Sequence, residues 1–180
     1  MDMTEKTIGT REIFSGRIIH IKEDTVLLPN GKTAGRELVL HNGGVGIIAV
    51  DDEENVFMVE QYRKPYDEVV LEVPAGKLEK DEDPFEAAKR ELSEETGYSA
   101  EKFTFLGKCY PSPGYLSEVI HLYLAENLTY VGQHLDPDEF VEVKKIPLSK
   151  LTEMVMNNEI RDAKTEVCIL KADKLINGRK

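Results

Sequence analysis

Residues 83–97, "DPFEAAKRELSEETG", leave the chain little local choice but a helix over 84–96. Asp83 is a good N-cap, Pro84 suits the first helical position, and Glu86 falls at N3. Gly97 suits the C-terminal stop. At about 100° per residue, Phe85, Ala88, Leu92 and Thr96 share the face expected to pack on a sheet. Glu91, Glu94 and Glu95 share a neighbouring face. Ala87 lies on that acidic face one turn earlier and leaves room for something to approach, while Glu86 and Arg90 lie further round. Like charges three and four apart repel, and near the C-terminal end the helix dipole disfavours them as well. A solvated surface needs no such placement. A divalent cation turns the repulsion into coordination, and oxygen-only ligands suit Mg²⁺ or Mn²⁺ rather than zinc. Spacing alone leaves the solvated face and the metal site level.

Around the helix the pattern is mostly β. "GRIIHIKEDTVLLPNGKTAGRELVLH" reads as strand, strand, turn, strand, with the turn at 29–32. "GGVGIIAV" (43–50) is a continuous apolar run that fits a buried strand. "VFMVEQYR", "EVVLEV" (68–73), "KFTFLGKCY" (102–110), "SEVIHLYLAE" (117–126) and "EFVEVKKIP" (139–147) add further strands. Two helical patterns, 148–158 and 162–176, close the chain. The expected class is α/β (α+β), with a mixed sheet and an N-terminal antiparallel hairpin layer. With 180 residues and no convincing linker, a single domain over 1–180 is expected, with strands in 1–40 and a core in 41–180.

Charge limits the partners. A formal net charge of -11 argues against nucleic acid and anionic membrane surfaces. A small phosphorylated ligand remains open only if cations or local arginines serve it. No apolar run approaches the roughly 20 residues of a membrane span, and no secretory signal is visible at the start. Cys109 and Cys168 lack metal-site spacing, read as structural thiols, and suit a reducing cytoplasm. His20, His41, His121 and His134 show no ligand spacing.

The stretch 76–98 resembles the Nudix hydrolase signature. Gly76 is followed by five residues and Glu82, then seven more lead to Arg90-Glu91-Leu92-Ser93-Glu94-Glu95-Thr96-Gly97-Tyr98. Every specified position matches, which tips the acidic face to the metal reading. Over nearly the whole length the chain resembles the ADP-ribose pyrophosphatase branch of that superfamily. The features are "GRELVLHNGG", "EQYRKPYDEVVLEVPAGKLE", "PSPGYLSEVIHLYLAE", "LDPDEFVEV" and "DAKT". Pro113, at its distance beyond the box, is associated in this family with ADP-ribose. "HNGG" at 41–44 departs from the His-Pro-Gly common in relatives.

The resemblance implies a Nudix fold, an α/β/α sandwich, and Mg²⁺-dependent hydrolysis of ADP-ribose to AMP and ribose 5-phosphate. It implies Glu91, Glu95 and the Ala75 carbonyl as metal ligands, Glu94 as a further or bridging ligand, and two or three ions. Glu82 and Arg90 would orient the loop and the helix acids. Glu139, on the acidic loop, matches the family's loop glutamate as base, closed-state ligand or both, with Asp136, Asp138 and Glu142 as alternatives. Arg63 would meet the phosphates, Arg36 with Glu37 the adenine end, and Ser112, Gly114 and Glu118 the ribose side. Surface salt bridges or a plain turn are the rival readings for the arginines and this loop. A homodimer sharing its N-terminal strands is also implied. GDP-mannose or ADP-glucose are rival substrates, and a non-catalytic ADP-ribose-binding module is the rival from another class.

Overall fold

The computed structural model describes residues 2–135, 137 and 139–178. By internal packing the chain forms two compact units, 1–43 with 110–119, and 44–109 with 120–180.

The first unit is a three-stranded antiparallel sheet, β1 (Lys6–Ser15), β2 (His20–Leu27) and β3 (Thr33–Leu40), in sequential order. The segment expected to hold two strands before the turn holds one, β2, and the third strand lies further upstream as β1. The cause is Gly16, whose N–H donates to the Ile19 carbonyl at 2.9 Å and closes a turn ahead of β2. The turn at 29–32 forms as expected. Gly31 has φ of 80° and its N–H reaches the Leu28 carbonyl at 2.9 Å. The loop 110–119 belongs to this unit because it is stitched to β3. The Val39 N–H donates to the Tyr115 carbonyl at 2.8 Å, and the Ser117 N–H donates to the Val39 carbonyl at 2.9 Å.

The second unit is a seven-stranded mixed sheet. Its main path runs β10 (Val141–Pro147), β5 (Asn55–Arg63), β4 (Gly44–Val50), β9 (Ile120–Tyr130) and β8 (Tyr98–Cys109). β6 (Glu68–Glu72) adds to β5, and the short β7 (Ala75–Lys77) adds to β4. Only the β4–β9 pair is parallel among the described strands. β4 is buried along its whole length, as its continuous apolar run requires of a strand covered on both faces. Its side chains alternate between two cores. Val45, Ile47 and Ala49 pack with Ala87, Ala88 and Leu92 of helix α1 (Pro84–Thr96). Ile48 and Val50 pack with Leu148 and Leu151 of α2 (Leu148–Met156), and with Cys168, Ile169 and Ala172 of α3 (Ala163–Asn177). The mixed sheet therefore lies between α1 and the α2/α3 pair, the expected sandwich.

Helix α1 has the expected ends. Asp83 accepts from the N–H groups of Phe85 at 2.9 Å and Glu86 at 3.2 Å, and Gly97 closes the helix at φ of 77°. Its buried stripe is rotated from the expected one. Ala87 is fully buried and so leaves no opening on the acidic face, while Phe85 is half-exposed. Phe85 instead sits edge-on to Phe103, with Lys89 over its ring.

Candidate active site

The rotation of α1 buries two of its acids. Glu91 is 8% exposed and Glu95 3%, so the bland reading of a solvated acidic face does not hold for them. Arg90 is the helix's organiser. Its Nε and Nη2 hold both oxygens of Glu82 at 3.0 and 3.1 Å, and Nη1 reaches Glu91 at 2.8 Å and Glu94 at 2.9 Å. Glu82 in turn accepts from the Glu79 N–H at 2.8 Å, which fastens the loop before the helix. Arg90 thereby holds the Glu82 carboxyl below its ordinary range. Arg90 thus joins the loop carboxylate to two helix acids through charge-assisted hydrogen bonds.

Gly76 has a direct reason to be glycine. A Cβ there would fall inside the Glu91 carboxylate, so the strand β7 and the helix can meet at this spot only without a side chain. One residue earlier, the Ala75 N–H donates to Glu95 Oε2 at 2.9 Å. Strand and helix acids are thus in contact at both positions.

The acids repel as well as pack. Burial pushes Glu95 up to about 8, with Glu91 and Glu139 adding to the rise against the Ala75 hydrogen bond. Burial also raises Glu91, aided by Glu94 and Glu139 and opposed by Arg90. The charge of Glu139 therefore reaches both helix glutamates. Asp136 and Asp138 lie outside the described residues. Glu142 instead binds Lys144 on β10 at 2.5 Å.

The loop that leads to Glu139 is anchored in a way the sequence reading missed. It satisfies the open carbonyls at the end of α1. Val131 N–H donates to Gly97 at 2.8 Å, His134 N–H to Glu94 at 3.1 Å, and Gln133 Nε2 to the Glu95 carbonyl at 2.6 Å. Gly132, at φ of 101°, was the available signal for this reversal.

Arg63 lies at the end of β5 as expected, but its partner was not anticipated. Nε and Nη2 hold Glu72 at 2.6 and 2.8 Å, although Glu72 is buried on β6. Lys164 Nζ reaches the same Glu72 oxygen and also Asp162 at 2.8 Å. Asp162 caps α3 by accepting from the Thr165 N–H at 3.1 Å and hydroxyl at 2.6 Å. The Thr165 oxygen accepts from the Val73 N–H at 2.9 Å. "DAKT" is therefore the clasp between α3 and the strand end that leads into Ala75 and Gly76.

The remaining expected contacts lie in the first unit. Arg36 is held by Glu5 at 2.5 and 2.9 Å, a surface salt bridge, and Glu37 is exposed beside it on β3. Ser112 accepts from the Leu116 N–H at 3.0 Å. A Cβ at Gly114 would meet no protein atom, so no neighbour within the chain demands this glycine. Glu118 stands 3.4 Å from His41 Nδ1, which accepts from the Gly43 N–H at 3.0 Å.

The acids of the second unit offer carboxylate oxygens, the chemistry that suits Mg²⁺-class ions. Glu91 and Glu139 both act against the charge of Glu95, a repulsion that a cation would relieve. Among the described residues no three Asp, Glu, His or Cys side chains gather at metal-ligating distance. Arg90 holds Glu91 and Glu94, and the Ala75 amide holds Glu95, so these oxygens are spread between partners.

Comparison with known proteins places the chain in a family. The NUDIX domain matches residues 40–166, and the nucleoside diphosphate sugar hydrolase N-terminal domain matches 5–39. An ADP-ribose pyrophosphatase of Bacillus subtilis is 47% identical, covering 93% of this chain and 91% of its own. A methanol dehydrogenase activator of Bacillus methanolicus is 46% identical over 92% and 90%. A GDP-mannose pyrophosphatase of Klebsiella pneumoniae is 32% identical over 76% and 74%. The crystal structure of an ADP compounds hydrolase shares the fold at a TM-score of 0.88, with 20% identity over 99% of this chain and 98% of that one. The box built on Gly76, Glu82, Arg90 and the three helix glutamates, and the family match around it, make this chain a member of the Nudix hydrolase family.

Proposed function

We propose that the chain hydrolyses the pyrophosphate bond of ADP-ribose, giving AMP and ribose 5-phosphate. The observation that carries the chemistry is the burial of Glu91 and Glu95 against the Gly76 and Ala75 backbone of β7, with Glu139 and Arg63 near enough for their charges to act on Glu95. The Bacillus subtilis relative supports the substrate, as does Pro113.

Glu91, Glu95 and the Ala75 carbonyl, with Glu94 and Glu139, would hold the divalent cations on which this family generally depends. Mg²⁺, or Mn²⁺ in its place, at about two or three ions per site, supplies charge neutralisation and water activation when bound. Arg63 offers a planar guanidinium to the diphosphate oxygens. Glu139 accepts the proton of the attacking water, and its loop carriage allows it to close over substrate. Arg36 and Glu37 address the adenine end, and Ser112, Gly114 and Glu118 the ribose side. Ile8, Ile13 and Phe14, exposed on β1, support a homodimer through that sheet. Two unbridged cysteines suit a reducing cytoplasm.

The test is turnover of ADP-ribose, GDP-mannose and ADP-glucose by the purified chain with Mg²⁺, repeated with a chelator. ADP-ribose should give the highest kcat/KM, and the chelator should abolish it. Much faster GDP-mannose turnover overturns the substrate, and full activity in chelator overturns the metal.

A further inference from the structure

Lys164 is a buried lysine that the reaction outlined above leaves without a task. Its side chain is 10% exposed. The stem runs beside Gly46 of β4, where an added Cβ would lie 3.8 Å from the Lys164 Cδ, an ordinary contact, and 3.1 Å from Leu122. Two of its three Nζ donors are committed to Glu72 and Asp162, and its burial keeps the ammonium from the surface.

We propose that Lys164 is a positioning residue for substrate binding, leaving the Arg63 guanidinium its charge for the diphosphate; this rests on the hydrolase reading above. A bidentate Arg63–Glu72 pair is neutral by itself and attracts an anion weakly. Arg63 is further subject to the charges of Glu95 and Asp162. One guanidinium then answers to three carboxylates. Lys164 supplies the second positive charge and shares the Glu72 oxygen that Nη2 also uses. Glu72 stays ionised despite its burial because Arg63 and Lys164 together outweigh the cost. Arg63 is left partly exposed, at 37%, with Nη1 holding no acceptor among the described residues. That corner is what a phosphate oxygen would meet.

The test uses the full chain with Mg²⁺ and reads KM and kcat for ADP-ribose separately. Lys164→Met should raise KM about tenfold with kcat nearly unchanged, the signature of lost ground-state and transition-state binding alike. Lys164→Arg should return KM to within about twofold of the parent, since it keeps the charge. In an Arg63→Ala background, Lys164→Met should add nothing, because the residue acts through Arg63. Thermal unfolding checks each variant, and Lys164→Gln makes the same comparison if the methionine variant does not fold. An unchanged KM in a folded uncharged variant, or effects that add in the double variant, overturns the proposal. A parent protein that leaves ADP-ribose intact overturns the hydrolase reading instead, which separates the two failures.

Discussion

Replacing Glu95 by glutamine should stabilise the metal-free protein at alkaline pH while removing its activity. The side chains are nearly isosteric, and the amide oxygen can still accept from the Ala75 N–H at 2.9 Å. The difference lies in the proton. Burial, then Glu91 and Glu139, push the folded carboxyl from 4.5 to about 8. Below pH 4.5 both folded and unfolded states hold the proton, and the residue makes no difference. Between 4.5 and about 8 the unfolded chain has released it and the folded chain has not, so stability falls as pH rises. The slope is about 1.4 kcal/mol per pH unit, and the loss levels off above pH 8 at roughly 5 kcal/mol. Glutamine escapes this loss. Urea unfolding in a chelator, from pH 5 to pH 9, should therefore show the two proteins diverging over that window with the variant ahead. Added Mg²⁺ should bring the parent back at pH 8 and leave the variant where it was. Parallel pH profiles in chelator would refute the argument that burial and like charge load this carboxylate.

Two further substitutions test the supports of the site. Gly76→Ala should leave the protein folded but lower kcat/KM by about 100-fold, since the new methyl evicts the Glu91 carboxylate from its place beside Arg90; steady-state kinetics with a circular dichroism control measures this. Thr165→Val removes the acceptor of the buried Val73 N–H and should cost about 1–3 kcal/mol in urea unfolding.

Local chemistry made α1 readable from sequence. Asp83, Pro84 and Gly97 act on backbone groups within a few residues, and the structure ends the helix where they indicate. The orientation of that helix was less legible. Periodicity defines a stripe but not which edge of it meets the sheet, and Ala87 rather than Phe85 proved small enough to enter the core. The box acids could be named from their spacing and resemblance, whereas their burial could not. The Glu72–Lys164–Asp162 clasp was invisible for another reason: Glu72 lies 92 positions from Lys164, and an ion pair between distant residues leaves no period in the sequence. Likewise the anchoring of loop 131–134 on α1 depends on backbone carbonyls, which every residue carries.

The stitching of loop 110–119 to β3 has a consequence for how such a chain can change its substrate. Arg36, Glu37, Ser112, Gly114 and Glu118 all fall within the first packing unit, although 76 positions separate His41 from the Ser117 it is bonded to. The helix acids, Glu139 and Arg63 all fall within the second. Residues that would choose the sugar and base are therefore held by one set of contacts, and residues that would break the bond by another. Were those assignments to hold, a lineage could move between nucleotide sugars by substitutions in residues that share no packing unit with the hydrolytic carboxylates.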